Sequence, residues 1–325
     1  MKKIFITGGT GFIGSHIVDH FSNKNQYKVY ALARDLNNPK WLKGSNAQLL
    51  KGDLFSIPPI PPDIDYVIHS AGCTKTNKLS DYTKINRDGT RSLFESLASQ
   101  HISPKKIIYI SSLGVTGPSV KDEPIKETHN PCPLTPYAKS KLQGEEEALK
   151  FKDEFIVIIL RPGGVFGPRD PDFLSLFKSI KKGILPAIDS NQRLASIIYV
   201  KDLVYAVDLC LQKDIKSGEI FNVVNPKPYS WDEFGHITSQ ILNKKLKKII
   251  ISYPIAFLIA SFSQLMSKFR KNPSIIDKNK LKELNETCWV ADCSKAVTLL
   301  GFQPQYSLEK AIQETLSWYQ DHNWL

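Results

Sequence analysis

The first half of the chain alternates short apolar runs with longer segments in which apolar residues recur at helical spacing. The runs are nearly continuous in Ile, Val and Tyr, as expected of parallel strands that helices cover on both faces. The pattern predicts strands over residues 3–7, 28–33, 66–70, 106–111 and 155–160, with helices from about residue 11 and near 85–100 and 137–151. Strands alternating with helices predict an α/β fold built on a doubly wound parallel sheet.

A glycine-rich stretch, GGTGFIG, joins the first strand to the first helix. Gly8, Gly9, Gly11 and Gly14 fit two spacings that bind dinucleotides, Gly-x-Gly-x-x-Gly and Gly-x-x-Gly-x-x-Gly. Glycine lets the backbone approach a pyrophosphate without a Cβ in the way, and the helix N-terminus directs N–H groups at the anion. The stretch therefore predicts a Rossmann-like site for NAD(P). A tight turn without a ligand is the alternative.

The pattern loosens after Arg161 into loops that contain Pro and Gly. A strand-like run at 196–200 leads into a helix from about Lys201, EIFNVVNP indicates one more strand, and residues 230–325 read mostly as helices with loops. We expect residues 1–165, with returning elements near 195–225, to form the NAD(P)-binding Rossmann domain. Residues 166–195 and 226–325 are expected to form a smaller α/β substrate-binding lobe.

The composition of the chain limits the kinds of partner and the cellular compartment that we expect. The formal charge of +11 comes from 43 basic residues that are spread along the 325-residue chain, so we expect no nucleic-acid partner. They form either a solvated surface or a basic mouth that attracts a phosphorylated cofactor or an acidic substrate. The five cysteines are odd in number and include no Cys-x-x-Cys pair, which predicts a reduced, cytoplasmic setting and no metal site. The apolar run after Met1 ends at Gly8, too early for an export signal.

The residues at the end of the second strand, ALARD, indicate which dinucleotide is used. A carboxylate there binds the ribose 2′-hydroxyl of NAD, whereas an arginine accommodates the 2′-phosphate of NADP. Arg34 comes first and is expected to reach the ribose, so NADP(H) is favoured. NAD(H) is the alternative, because Asp35 bonding the ribose would reverse the preference.

Two further segments carry candidate catalytic residues. In PYAKSK, Tyr137 and Lys141 lie four residues apart and share a helix face. About 25 residues earlier, YISSLGVTGP ends a buried strand with Ser111 and Ser112 at its carboxyl end, where open α/β sheets bind ligands. A Tyr-x-x-x-Lys pair alone is usually structural, but its combination with these serines predicts a catalytic site.

The ordered motifs resemble one enzyme family over nearly the whole chain. The glycine signature, KGDL, IHSAG, INRDGT, YISS, PYAKSK and RPGGVFGP are similar, in this order, to the extended (atypical) short-chain dehydrogenase/reductase family of NAD-dependent epimerase/dehydratase type. IIYVKDL and the terminal ADCSKAVTLLGFQPQYSLEKAIQETLSWY also resemble it. The resemblance implies an NAD(P)-dependent oxidoreductase or epimerase that acts on a small molecule.

The resemblance implies a role for each matching catalytic residue. Tyr137 would be the general acid/base that exchanges a proton with the substrate oxygen while hydride moves to or from the nicotinamide. Lys141 would bind the nicotinamide ribose and lower the pKa of Tyr137 as a neighbouring cation. Counting five positions back from Gly117 selects Ser112 over Ser111 as the hydrogen-bond partner of the substrate oxygen.

The resemblance also implies binding residues. Asp53 and Leu54 resemble the adenine-contacting pair, and Asn86 matches a position that supports the lysine through water, with helix capping or packing as the alternative. We interpret His69 and Cys73 as packing or hydrogen-bonding residues. The full cofactor set is Gly8, Gly11, Phe12, Ile13, Gly14, Arg34, Asp53, Leu54, Ser70, Ala71, Gly72, Asn86, Tyr137, Lys141, Pro162 and Val165. The substrate set is Thr74, Gly164 and Arg193.

Departures from the family pattern help to choose the reaction. Dehydratases carry an Asp-Glu pair just after the catalytic Ser or Thr, where this chain has Leu113 and Gly114, so dehydration is not expected. Sugar-nucleotide epimerases usually have an Asn aligned with Gly164 and two arginines on the diphosphate. Arg193 is one candidate, but LNETCW stands where the second is expected.

We therefore favour NADP(H)-dependent interconversion of a ketone and a secondary alcohol on an apolar, steroid-, lipid- or flavonoid-like substrate. The alternatives are an NAD-dependent sugar-nucleotide epimerase and a non-catalytic NADP-sensing protein. The intact set of Ser112, Tyr137 and Lys141 argues against the sensor, which has no need of an acid/base pair.

One apolar stretch, YPIAFLIASFSQLMSKF, bears on the substrate. It either closes the core of the lobe or forms an apolar wall for a lipid-like substrate, with peripheral membrane contact through 249–271, because Lys244–Lys248 and Lys268–Lys271 flank it. It is too short to span a bilayer. Its large apolar residues recur at helical spacing: Ile255, Leu258, Ile259, Phe262, Met266 and Phe269. The family resemblance further implies a homodimer through a four-helix contact.

Overall fold

The computed structural model describes residues 1–120, 123–188, 193–267 and 278–325. The strands are β1 Lys2–Thr7, β2 Tyr27–Ala33, β3 Gln48–Lys51, β4 Tyr66–His69, β5 Lys106–Ile110, β6 Val157–Pro162, β7 Gly164–Phe166, β8 Ile184–Ile188, β9 Leu194–Ala195, β10 Ile197–Tyr199, β11 Glu219–Val223, β12 Tyr229–Ser230, β13 Lys247–Ile251 and β14 Cys288–Trp289. The helices are α1 Phe12–Ser22, α2 Ser80–Thr83, α3 Gly89–Ser99, α4 Pro136–Leu149, α5 Leu174–Lys181, α6 Val200–Gln212, α7 Trp231–Ile241, α8 Tyr253–Ser267, α9 Lys278–Asn285 and α10 Leu308–Asp321.

Seven parallel strands form the central sheet in the order β3-β2-β1-β4-β5-β6-β11. The predicted α/β doubly wound fold is therefore confirmed, and the strand expected in EIFNVVNP is β11, at one edge. The strand order reverses between β1 and β4. At such a switch point the carboxyl ends of the two strands open a crevice, which is where doubly wound folds bind ligands.

Helices cover both faces of the sheet. On one face α1 and α6 bury Ile17, Phe21 and Leu203 against the strands. On the other face α3 and α4 bury Leu93 and Ala148. Since both faces are covered, the strands are apolar along their whole length, which is the pattern that the sequence shows.

The segments after β6 form smaller sheets beside the carboxyl end of the main one. The run expected as a strand at 196–200 is β10, and it pairs with β7 rather than with the central sheet. Further pairs join β13 to β8, and β12 and β14 to β9. Helices α5, α7 and α10 pack around a separate aromatic core that contains Phe166, Phe177, Phe234, Ile312 and Tyr319.

Two predicted boundaries differ from the structure. The helix expected near 85–100 starts earlier, because α2 continues through one π-helical turn at Lys84–Asp88 into α3. The strand expected at 155–160 is β6, shifted by two residues towards Pro162. Among the described residues no helix is both long and apolar enough to cross a membrane.

Candidate active site

The glycine loop after β1 touches the loop after β4 with no room for side chains. A Cβ on Gly8, whose φ is +74°, would lie 2.5 Å from the backbone nitrogen of Ala71, and a Cβ on Gly14 would lie 2.1 Å from the Gly8 oxygen. Helix α1 begins directly after Gly11, and Phe12 and Ile13 in its first turn leave their N–H groups at the crevice. This cradle fits the pyrophosphate of a dinucleotide.

At the end of β2, the carboxylate of Asp35 is hydrogen-bonded within the chain, whereas the side chain of Arg34 is exposed. Asp35 Oδ1 accepts hydrogen bonds from the N–H groups of Asn37 at 2.9 Å and Asn38 at 3.3 Å, so its carboxylate closes a local turn. Arg34 is exposed, and its guanidinium bonds to none of the residues in the described ranges. The arrangement leaves Arg34 as the available group at the ribose position.

Asp53 and Leu54, which the family resemblance assigns to the adenine of the cofactor, follow β3. Asp53 is exposed, and its Oδ1 accepts the N–H of Phe55 at 2.8 Å. Leu54 is buried, and it lies so close to α3 that a Cβ on Gly89 would come within 2.6 Å of Leu54 Cδ1. Leu54 thus fixes the loop on the core while Asp53 faces the surface.

The other members of the cofactor set surround the same crevice. Ser70 follows β4 and donates its N–H to the oxygen of Thr7 at 3.2 Å, which continues the β1–β4 pairing. Pro162 is the last residue of β6, and Val165 is half-buried in β7. The structure therefore brings most of the predicted cofactor residues to the carboxyl ends of β1, β2, β3, β4 and β6, with Lys141 at the end of β5.

The three candidate catalytic residues lie together at the end of β5. Ser112 directly follows Ser111 at the strand end, its Oγ accepts the N–H of Gly114 at 3.1 Å, and its hydroxyl lies near that of Tyr137. Tyr137 stands in the first turn of α4. Lys141, one turn further along, donates from Nζ to the oxygen of Ile110 at 2.7 Å.

Burial is the largest influence on the pKa values of Tyr137 and Lys141. It raises the pKa of Tyr137 above its usual range; the hydrogen bond from Ser112 opposes the rise, and nearby Glu283 and Asp172 add to it. Burial lowers the pKa of Lys141 to about 7, against the opposing charge of Glu145. The expected depression of the Tyr137 pKa by Lys141 is not seen, and burial is the largest influence on that pKa. Tyr137 holds its proton at neutral pH.

A buried ion pair that the sequence reasoning missed anchors the catalytic helix. Glu145 accepts two hydrogen bonds from Arg161, from Nε at 2.9 Å and from Nη2 at 2.6 Å, and it also accepts the hydroxyl of Ser111 at 2.5 Å. These bonds connect α4 to the ends of β5 and β6. Because the hydroxyl of Ser111 is bonded to Glu145, Ser112 is the serine that faces Tyr137. The available signal was the four-residue spacing between Lys141 and Glu145.

Asn86 fastens the loop beneath the dinucleotide site. Its Oδ1 accepts the N–H of Cys73 at 2.7 Å, and its Nδ2 donates to the Cys73 oxygen at 3.0 Å and to Ser140 Oγ at 2.8 Å. A Cβ on Gly72 would lie 3.1 Å from Asn86 Oδ1. Asn86 thus joins the loop after β4 to α4, which agrees with the packing alternative for this residue.

His69 is a buried hydrogen-bonding residue, as interpreted from the sequence. Its ring nitrogens lie 2.6 Å from Thr7 Oγ1 and 2.9 Å from Thr90 Oγ1, and its ring stacks on Tyr109. Burial lowers the pKa of His69 to about 3, so the ring is neutral. It links the two strands of the switch point to α3.

Of the substrate set, Thr74 and Gly164 face the cleft. Thr74 is exposed beside Lys75, whose Nζ forms an ion pair with Asp172 in the segment between β7 and α5. A Cβ on Gly164 would meet Ile197 Cγ2 at 3.3 Å and Phe173 Cζ at 3.6 Å, of which Ile197 is buried and Phe173 is partly buried.

The guanidinium of Arg193 is bonded to backbone oxygens of the protein itself. Its Nη1 donates to the backbone oxygens of Leu284 at 2.6 Å and Glu286 at 3.0 Å, and its Nε donates to the oxygen of Ile188 at 3.2 Å. The guanidinium therefore braces the segment after α9. Within the described ranges, no cluster of three His, Cys, Asp or Glu side chains could hold a metal ion.

Comparison with known proteins gives consistent matches. Residues 4–223 match the NAD dependent epimerase/dehydratase family. The chain is 25% identical to the ceramide reductase of Caulobacter vibrioides, over 99% of this chain and 96% of that protein. It is 28% identical to the decarboxylating sterol-4-alpha-carboxylate 3-dehydrogenase of Candida albicans, over 98% and 97%. The UDP-glucuronic acid 4-epimerase of Bacillus cereus, solved with UDP-glucuronic acid and NAD, shares the fold with a TM-score of 0.80 at 23% identity, over 98% and 99%.

Proposed function

Because the chain belongs to the NAD-dependent epimerase/dehydratase family of extended short-chain dehydrogenases/reductases, an enzyme family, we propose that it interconverts a ketone and a secondary alcohol on an apolar, lipid-like substrate with NADP(H). Two relatives that match it over nearly their whole length carry names that specify a ceramide and a sterol substrate. That coverage includes the substrate lobe, where the choice of substrate is made.

One observation carries the choice of an apolar substrate over a sugar nucleotide. A nucleotide diphosphate needs cationic donors, and the arginine expected to serve it, Arg193, is bonded to three backbone oxygens. Gly164 is exposed but has no side chain that could bind a diphosphate, and its neighbour Phe173 is only partly buried.

The residues at the end of β5 supply the acid/base chemistry. With the pyrophosphate of the dinucleotide held in the glycine cradle, the nicotinamide would supply or accept the hydride at the reacting carbon. Ser112 donates a hydrogen bond to the substrate oxygen and so stabilises the charge that develops there. Tyr137 gives that oxygen its proton, which its raised pKa keeps in place at neutral pH. Lys141, fixed by the Ile110 oxygen, lies one turn along α4 to bind the nicotinamide ribose.

The proposal for NADP(H) rests on the ribose end of the site. Arg34 is exposed and available for a 2′-phosphate, whereas the carboxylate of Asp35 already bonds two backbone N–H groups. Only Oδ1 of Asp35 is engaged in this way and Oδ2 can still accept a hydrogen bond, so the proposal rests on Arg34.

The test begins with protein that is purified without added nucleotide and denatured, so that any released dinucleotide is identified by mass spectrometry. We expect little retained nucleotide and tighter binding of NADPH than of NADH. Near-stoichiometric NAD would contradict the proposal and favour an epimerase, whose chemistry retains its cofactor. The second step compares NADPH consumption on steroid and long-chain ketones in detergent micelles with conversion of UDP-glucose. Turnover of the sugar nucleotide alone would overturn the apolar substrate.

A further inference from the structure

Helix α8 exposes its large apolar side chains, whereas an ordinary amphipathic helix buries them. Ile255 is 54% exposed, Leu258 67% and Phe262 66%, whereas Ala260 is fully buried. With Ile259, which is 53% exposed, the large residues occupy positions i, i+3, i+4 and i+7, which share one face. The reading of α8 as a helix that closes the lobe core is therefore wrong for these residues. The Met266 side chain, Phe269 and Lys268–Lys271 lie outside the described residues.

The strand that precedes the helix also exposes apolar side chains. Ile249 and Ile250 in β13 are 39% and 56% exposed, and only Ser252 separates β13 from α8. We call the outward side chains of α8 the apolar face: Ile255, Leu258, Ile259 and Phe262. An exposed apolar surface of contiguous large side chains marks an interaction site.

Basic residues stand at the borders of the apolar face. Lys244, Lys245, Lys247 and Lys248 are exposed in and just before β13. On the other side, Lys278 at the start of α9 places its Nζ 5.0 Å from the ring centroid of Phe257 in α8. Apolar side chains bordered by lysines are the arrangement with which peripheral helices bind an anionic lipid surface.

The apolar face is connected to the catalytic group through α9. Helix α8 packs against α9, and Glu283 of α9 accepts a hydrogen bond from Thr135 Oγ1 at 3.0 Å. Thr135 caps α4 two residues before Tyr137. Helix α9 therefore lies next to both the apolar face and the catalytic group, and we call the side of the site that α9 borders the entrance.

We propose that the apolar face docks on an anionic lipid bilayer, with its aliphatic and aromatic side chains at the acyl boundary and the lysines among the headgroups. A bilayer fits this face better than a second copy of the chain, because two copies that each carry a formal charge of +11 would bring their lysines together. The proposal that the apolar face docks on a bilayer does not depend on which reaction the protein catalyses. Its use, to bring the entrance next to a lipid substrate, rests on the proposed function.

The experiment measures co-sedimentation of the full chain, without substrate or nucleotide, with two kinds of vesicle. One kind is phosphatidylcholine alone, and the other contains phosphatidylserine as well. We expect binding to the anionic vesicles that weakens as salt is raised, and much weaker binding to the neutral ones. Absence of binding to anionic vesicles would overturn the proposal.

Variants locate the surface. Leu258→Asp and Phe262→Asp should each weaken vesicle binding by roughly tenfold or more, because each removes a large apolar group from the contact. Leu299→Asp is the matched control, since Leu299 is 51% exposed in the turn Ala296–Leu300 and should bind as the parent does. Equal binding of all three variants would refute docking through this face.

Two further measurements separate the competing explanations. Sedimentation in the absence of vesicles tests the second copy, because a dimer that Leu258→Asp converts to monomer would assign the face to self-association. Ketone turnover in detergent micelles tests the reaction separately. Leu258→Asp should retain it, so failure of docking and failure of the proposed function give different results.

Discussion

At the residue scale, the hydroxyl of Tyr137 is the group on which the proposed chemistry depends. Tyr137→Phe should lower ketone turnover by roughly 10²–10⁴-fold, because it removes the general acid, while NADPH affinity changes little. Steady-state kinetics and fluorescence titration of NADPH measure the two effects. Tyr82→Phe is the control, since its ring lies 6.1 Å from that of Tyr137 and its hydroxyl bonds the Thr74 oxygen. Comparable loss in both variants would mean that Tyr137 acts only through packing.

Arg34 is predicted to read the 2′-phosphate. Arg34→Gln should raise the Kd of NADPH by roughly tenfold or more, because a charge-assisted hydrogen bond is lost, and should leave the Kd of NADH nearly unchanged. Asp35→Asn, which retains an acceptor oxygen for the local turn, serves as the comparison and should affect neither. Isothermal titration gives both constants. A selective loss of NADH affinity in Asp35→Asn would reverse the assignment to NADP.

His69 makes the stability of the protein dependent on pH. Its pKa is lowered to about 3 in the folded state, while an unfolded chain binds a proton at the ordinary value of about 6.5. The unfolded state therefore holds more protons between these values, and stability is lost as the pH falls through this window. At pH 5 the loss from His69 amounts to about 2 kcal/mol.

The variant His69→Gln tests this dependence. At pH 7 it should be less stable than the parent, because the bonds to Thr7 and Thr90 are disturbed. At pH 5 the difference should shrink, because the variant lacks the titrating ring. Urea unfolding at both pH values measures the free energies. An unchanged difference would show that His69 does not titrate on unfolding.

Sequence could predict that the candidate catalytic residues lie close together, because their positions depend on local structure. Tyr137 and Lys141 share one turn of a helix, and Ser112 ends a buried strand, so spacing alone brings them to the sheet edge. The bonds of Arg193 could not be predicted, since two of its three partners lie more than 90 residues away. The commitment of Ser111 to Glu145 is equally a result of tertiary packing.

At the scale of elements, the glycine loop is predicted to tolerate no side chain. Gly8 and Gly44 both have positive φ, at +74° and +82°, so an alanine strains the backbone at either position. Only Gly8 also meets a neighbour, the Ala71 nitrogen at 2.5 Å, whereas nothing lies within 4 Å of the Cβ position at Gly44. Gly8→Ala should abolish NADPH binding, and Gly44→Ala should retain it with a stability loss of about 1 kcal/mol. Titration and thermal unfolding measure these effects, and equal affinity in both variants would contradict the contact.

The long buried elements of the first half could be predicted, whereas several short strands could not. Apolar runs such as β4 and β5 are fully covered and therefore stand out in the sequence. Strands of two or three residues, such as β7 and β9, carry too few positions to show a period. The edge strand β3 is half-exposed and reads as a loop.

At the scale of the whole molecule, one ion pair links the loop after β4 to the segment before α5. Lys75 and Asp172 are both partly exposed, so the pair adds little stability but connects two walls of the cleft. Lys75→Met should speed the dissociation of NADPH by roughly fivefold, because the walls part more easily. Stopped-flow displacement measures the rate. Raised salt weakens the Arg34–phosphate contact in both proteins but the ion pair only in the parent, so it should speed dissociation more for the parent than for Lys75→Met. The same salt response in both would refute the link.

The reversed polarity of α8 has a consequence for how the enzyme meets its substrate. A protein that rests on a bilayer through Leu258 and Phe262 finds a lipid by diffusion in two dimensions rather than three. Its rate should then follow the mole fraction of substrate within the vesicle and not the amount of substrate in the tube. Diluting the substrate with inert lipid at constant total substrate would slow such an enzyme, whereas one that takes its substrate from water would be unaffected.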